Sequence, residues 1–141
     1  MLRAADLAKV RHDDVFVDVG CGVGRAATLM HLLTGAEVVG LEIQSALVSR
    51  ARELAARLNA PRMTVIHGDA TKLTDHLRRG AVFYLYCPFG GQRLERVMEA
   101  IESIARTRRV RVCSVNLTLP SCAWLAEVAS ASDLTVYASL G

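Results

Sequence analysis

The chain has 141 residues, of which 52% are apolar and 22% charged, enough for one domain with a buried core and too apolar for a disordered segment. The formal net charge is +3, carried mostly by scattered arginines, and these are not interleaved with aromatics as in a nucleic-acid surface. No apolar run approaches the roughly 18 residues that span a bilayer, so a membrane-spanning protein is excluded and a cytoplasmic one expected.

In chain order, a short helix is expected at about Ala4 to Val10, then a polar turn. The first strand, Val15 to Val19, runs into Gly20, Gly22 and Gly24 at alternate positions. From Val23, the apolar residues Val23, Ala26, Ala27, Met30 and Leu33 keep a helical period, and Gly35 is placed to end that helix. Glu37 to Leu41 reads as a second strand that delivers Glu42 at its end. A helix follows with Ser45 as its expected N-cap and Leu47, Ala51, Leu54 and Leu58 on one face. Asn59-Ala60-Pro61 stops it. Met63 to His67 is a third strand, followed by Gly68-Asp69-Ala70.

A short helix over about Thr74 to Arg79 leads to a fourth strand, Ala81 to Tyr86, which ends in Cys87-Pro88-Phe89-Gly90-Gly91. Leu94, Val97, Met98, Ile101 and Ile104 mark the clearest amphipathic helix. The Arg106 to Arg111 group falls at its end, where cations suit the helix terminus without any partner. A fifth strand spans Arg109 to Leu117. Trp124, Leu125 and Val128 suggest a brief helix, and Leu134 to Ser139 a last strand. This alternation predicts an α/β fold over residues 1–141, a doubly wound, mostly parallel sheet with helices on both faces. Ligands of such sheets bind outside the carboxyl ends of the strands, at the topological switch point. Cys21, Cys87, Cys113 and Cys122 show no paired metal spacing. Cys21 and Cys113 read as small buried residues in a reducing compartment.

The strand ends are therefore where chemistry is expected, and they carry the glycine turn, Glu42, Asp69 and the loop from Tyr86. Strand, glycine turn and helix form the opening of a nucleotide-binding unit. The run Val17-Asp18-Val19-Gly20-Cys21-Gly22-Val23-Gly24, an acidic residue before alternating glycines, resembles the motif of class I S-adenosylmethionine-dependent methyltransferases, and the resemblance extends nearly to the C-terminus. It implies that S-adenosyl-L-methionine is the cofactor and that its methionine part lies on Asp18, Gly20, Cys21, Gly22 and Gly24. It further implies ribose hydroxyls on Glu42, with Ile43 beside them, and adenine against Asp69 and Ala70. Tyr86, Cys87, Pro88 and Phe89 would line the methyl site. The reaction would be in-line attack by a substrate nucleophile on the sulfonium methyl; no general base and no metal are assigned. Protein, RNA and small molecules all stand as acceptors, and the sequence sets neither the acceptor nor the oligomeric state.

Residue chemistry agrees independently of the resemblance. Ribose offers two adjacent hydroxyl donors, and an ionised carboxylate has acceptor capacity for both. Other readings stand beside these. Glu42 could be a solvated strand-end residue, Asp69 a turn-former, Asp18 a holder of the glycine turn through backbone hydrogen bonds, and His67 a satisfied core histidine. Gly22 to Ala27 also fits a dinucleotide pattern, so an NAD-type site is the competing reading, and a catalytically silent binding module a third. Asp18 sits awkwardly for a pyrophosphate, and the chain has no second half to hold a nicotinamide.

Overall fold

The computed structural model describes residues 1–72, 74–86 and 91–140. Helix α1 (Leu2–Leu7) precedes β1 (Val15–Val19), α2 (Arg25–Thr34), β2 (Glu37–Glu42), α3 (Ser45–Arg57), β3 (Met63–His67) and α4 (Thr74–Leu77). After these come β4 (Val82–Tyr86), α5 (Gly91–Ala105), β5 (Arg111–Val115), β6 (Leu125–Ala131) and β7 (Leu134–Ser139). The strands form one sheet in the order β3-β2-β1-β4-β5-β7-β6. Pairing is parallel from β3 to β5 and antiparallel where β7 joins β5 and β6. The chain winds outward from β1 to β3, then returns to lay β4 on the other side of β1, so the switch point lies between β1 and β4.

Strand alternation divides the core into two layers. Phe16, Val38, Val65, Val82, Tyr84, Cys113 and Val136 face α1, α2 and α3, which bring Ala4, Ala27, Met30, Val48, Ala51 and Ala55. Val17, Val19, Val39, Leu41, Phe83, Leu85 and Val112 face the other way, onto Leu77 and onto Leu94, Val97, Met98, Ile101 and Ile104 of α5. Strands buried on both faces read as near-continuous apolar runs, which is why β1, β2 and β4 are legible in the sequence despite Asp18 within β1 and Gly40 within β2. The Arg106 to Arg111 group is used within the fold. Arg106 pairs with Glu102, Arg108 donates to the Gly80 carbonyl at 2.8 Å, and Arg111 pairs with Asp14 at 2.9 Å.

Several expected boundaries shift. The helix after the glycine turn starts at Arg25, not Val23, because Gly24 is its N-cap with a left-handed backbone (φ +80°). Gln44, not Ser45, occupies the N-cap of α3, with no side-chain capping bond. The brief helix expected around Trp124 is instead strand β6. Its pairing with β7 shifts register between Glu127 and Ala129, and this bulge turns Val128 outward, 59% exposed. One extra residue in the strand breaks its two-residue alternation, so Trp124, Leu125 and Val128 imitate a helical spacing.

Gly24 also sets the approach of α2 to α3. A Cβ there would stand 2.9 Å from the Cβ of Ala51, whereas at Gly20 and Gly22 it would meet nothing. Gly24→Ala therefore adds overpacking, about 1–3 kcal/mol, to the left-handed backbone cost of about 1–2 kcal/mol. Gly22→Ala incurs only the second. Urea unfolding of the two variants should separate them, and equal losses would show that the contact with Ala51 yields freely.

Candidate functional site

β1 ends at the switch point, and the chain must turn there to begin α2. The amides of Gly20 and Cys21 both donate to the Leu41 carbonyl, at 2.8 and 2.9 Å, and Gly24 N–H donates to the Cys21 carbonyl. Cys21 is buried, its side chain folded over Gly40, where a Cβ would lie 2.8 Å from the sulfur. Gly40 is the register partner of Asp18, so a strand glycine makes the room that the turn occupies.

Glu42, at the end of β2, is buried rather than solvated, with 6% of its surface accessible. Its Oε1 accepts the Gly22 amide at 2.8 Å and its Oε2 the Gln44 amide at 2.9 Å, while its own carbonyl accepts Gly68 N–H. One carboxylate thus ties together the turns that follow β1 and β2, and its backbone reaches the turn after β3. An ionised carboxylate offers about four acceptor positions, so each oxygen keeps capacity for a further donor.

Asp18 does not hold the glycine turn. Its side chain is 3% exposed, and among the described residues no hydrogen bond reaches its carboxyl. Burial first, then the nearby Glu42 carboxylate, pushes its pKa up from 3.8 to about 7. The same surroundings push the Cys21 thiol up to about 12, chiefly through burial and then through Asp18 and Glu42, so this cysteine is a packing residue and not a nucleophile.

Asp69 does form a turn. Its Oδ1 accepts both the amide and the hydroxyl of Thr71, at 2.9 and 2.8 Å, and lies 3.8 Å from the Arg93 guanidinium. These contacts, the Thr71 amide foremost, hold its carboxyl below the usual carboxylate range. His67 is exposed, not in the core; its Nε2 donates to the Ile43 carbonyl at 3.0 Å and steadies the segment after Glu42.

A cavity of about 200 Å³ opens over these strand ends. Gly20, Glu42, Ile43, Ala70 and Tyr86, all expected from the sequence, line it together with Val19, Leu41, Gly68 and Arg93. Asp18, Cys21, Gly22, Gly24 and Asp69 are not on its wall; Gly22 touches it through Glu42, and Asp69 sits between two lining residues. Cys87, Pro88 and Phe89 lie outside the described residues. Arg93, in the first turn of α5, escaped the sequence reading, although a cation just after a strand-end loop is the available signal. A larger hollow of about 460 Å³, between α3 and β3 and lined by Ala55, Pro61 and Met63 among others, holds no carboxylate and is remote from the switch point. The smaller cavity, with its convergent polar groups, is the candidate site. Among the described residues there is no cluster of metal ligands, and no helix is long and apolar enough to cross a membrane.

Comparison with known proteins follows the same lines. A family model described as a methyltransferase domain matches residues 16–110. The crystal structure of an RNA methyltransferase from Salinibacter ruber, in complex with S-adenosyl-L-homocysteine, is similar at a TM-score of 0.76 and 26% identity, over 97% of this chain and 86% of that one. PH0226 protein from Pyrococcus horikoshii gives 0.76 at 18% identity, over 99% and 87%. A precorrin-6y C5,15-methyltransferase from Geobacter metallireducens gives 0.70 at 14%, over 99% and 86%; at these identities the last two show the fold alone. No curated protein matches the sequence.

Proposed function

We propose, from the premise that the chain belongs to the methyltransferase domain family, that residues 1–141 form one unit that binds S-adenosylmethionine and transfers its methyl group to a nucleophilic acceptor. The observation that carries this reading is Glu42. Its two carboxylate oxygens are fixed by the Gly22 and Gln44 amides at the wall of the cavity, in position to accept two adjacent ribose hydroxyls. Ile43 and Ala70 line the same cavity and suit the faces of an adenine ring, with Asp69 as acceptor for its exocyclic amine. The unpartnered carboxyl of Asp18 fits the α-ammonium of the methionine part, because a buried carboxylate without hydrogen bonds is costly until a cation reaches it. Gly20, Cys21, Gly22 and Gly24 shape the turn beneath that part, and Tyr86 stands toward the methyl group.

The cofactor supplies the activated methyl, so the protein's work is to orient the two reactants and exclude water. A reducing, cytoplasmic setting suits the free thiols of Cys21, Cys113 and Cys122. Protein, RNA and small-molecule acceptors are compatible with the cofactor site itself. Calorimetry with S-adenosylmethionine, S-adenosylhomocysteine and NAD tests the reading. The two sulfur ligands should bind at least tenfold more tightly than NAD, a difference of about 1.4 kcal/mol; preference for NAD would overturn it.

A further inference from the structure

The outward face of α2 departs from the pattern of the other long helices. The exposed positions of α3 and α5 hold no large apolar residue, whereas every exposed residue of α2 after Arg25 is a leucine. Leu29, Leu32 and Leu33 are 44, 49 and 43% exposed. Their spacing makes one apolar stripe where a surface helix is ordinarily polar. Helix α2 packs against both α1 and α3 in the same layer, and beside its N-terminal end a hollow of about 330 Å³ opens toward α3. Val23 and Leu54, both half-buried, give the hollow apolar walls, and Arg25, Arg50, Glu53 and Arg57 are exposed around it. Among the described residues Arg25 makes no ion pair or hydrogen bond, although a cation at the start of a helix opposes that helix's own dipole.

We propose that this face is the interface of a weak homodimer, in which two copies of α2 pack antiparallel and each seats its Leu32 in the other's hollow. The inference stands apart from the cofactor reading. Three relations select a second copy as the occupant. The first is shape. A twofold axis perpendicular to α2, near the middle of this ten-residue helix, sets Leu29 against the partner's Leu32, and the small Ala26 leaves room for the partner's Leu33. The second is charge. The same axis brings Arg25 beside the partner's Thr34, at the carboxyl end of α2, where the helix dipole favours a cation. A parallel pairing would instead set two Arg25 side chains together. The third is the hollow. Arg25 lines it, and Leu32, seven residues on and close to two full turns away, stands on the same side of α2. The axis keeps the two α3 sides together, so the partner's Leu32 meets this hollow and Leu32 meets the partner's, the reciprocal contact that twofold symmetry requires. A lipid surface would cover the leucines but offers no side chain to fill the hollow. One helix per copy is a small patch beside the roughly 1,200–2,000 Å² that stable complexes bury, so the dimer forms at micromolar concentration or above.

Sedimentation equilibrium of the whole protein, from low to high micromolar concentration, tests the proposal. The mass should rise from monomer toward dimer and stop there. Leu32→Glu, at an exposed position that leaves the core alone, should raise the dissociation constant at least tenfold, about 1.4 kcal/mol. Arg25→Glu should raise it about threefold while leaving the monomer's Tm unchanged or higher, because an acid suits the helix start. A residue that serves only the fold would lower Tm instead. Val128→Glu, on the exposed strand β6, should leave the dimer unaltered. Amide NMR shifts that depend on concentration should gather on α2 and on Arg50 to Arg57. A monomer at every concentration overturns the inference, as does a dimer that Leu32→Glu leaves intact or that Val128→Glu dissociates. A dimer indifferent to Arg25→Glu overturns the antiparallel pairing. Binding of a monomer to phosphatidylserine vesicles through the same leucines would assign the face to a lipid surface, which also overturns it.

Discussion

Asp18→Asn should make the ligand-free protein more stable at about pH 8 and a poorer binder of its cofactor. Burial, reinforced by Glu42, raises the Asp18 pKa from 3.8 to about 7, so between these values the native state holds a proton that the unfolded chain has released. Stability that depends on this group is fully present below the unfolded value and is lost as pH rises through about 7. At about 1.4 kcal/mol per pKa unit, the ionised form costs the fold up to about 4 kcal/mol at alkaline pH. The asparagine removes that cost but leaves a buried amide with its own unmet hydrogen bonds, so a net gain of about 2–3 kcal/mol is expected. For a chain of this size that is a rise of roughly 5–10 °C in Tm. At about pH 5, where the native aspartic acid is neutral, the two proteins should differ by less than about 1 kcal/mol. The same substitution should weaken S-adenosylhomocysteine at least tenfold, about 1.4 kcal/mol, because the ligand's ammonium loses its counter-charge. Thermal melts at the two pH values and calorimetry decide it. A variant that is less stable at both pH values would show that the carboxyl serves the fold, and unchanged affinity would remove Asp18 from the site.

Glu42 should behave in the opposite way, as a residue that serves fold and ligand together. Glu42→Ala removes the acceptor from both Gly22 N–H and Gln44 N–H. Hydrogen bonds to a charged group contribute about 1.5–3 kcal/mol each. Relief of the repulsion with Asp18 offsets part of this loss, so a net destabilisation of about 2–4 kcal/mol is expected for the ligand-free protein. Glu42→Gln retains one acceptor oxygen but sets its NH₂ against the second amide, and should fall between wild type and alanine. It should also bring the Asp18 pKa down only part of the way, since burial is the larger cause of that shift. Urea unfolding gives the stabilities, and hydrogen exchange at Gly22 and Gln44 reports the two bonds directly. If exchange at both amides is unchanged in the alanine variant, Glu42 does not organise the turns. A ribose contact would then have to be established from ligand affinity alone.

The sequence by itself determined the frame of this protein and the places where its chemistry gathers. Strand β4 is a continuous run of apolar and aromatic residues, β1 is apolar but for Asp18, and the apolar stretch of β2 lies between Glu37 and Glu42, while α5 repeats its apolar residues at the helical period, so local residue order carries their identity. The strand ends are then placed by alternation, and with them Glu42, Asp69 and the glycine turn. Tertiary structure decided what each side chain does there. The role of Glu42 as a clasp between two turns depends on amides 20 residues before it and two after it, and no local pattern states that pairing. The isolation of Asp18 depends on burial beside β2 and β4, on Gly40 and Tyr84 as its register partners, and on the absence of a donor from either. Strand β6 was hidden for a related reason. Its bulge is defined against β7, and a register shift exists only between two strands. Burial, register and pairing are relations between distant residues. One-dimensional periodicity records which face a residue occupies, and leaves open which partner waits on the other side.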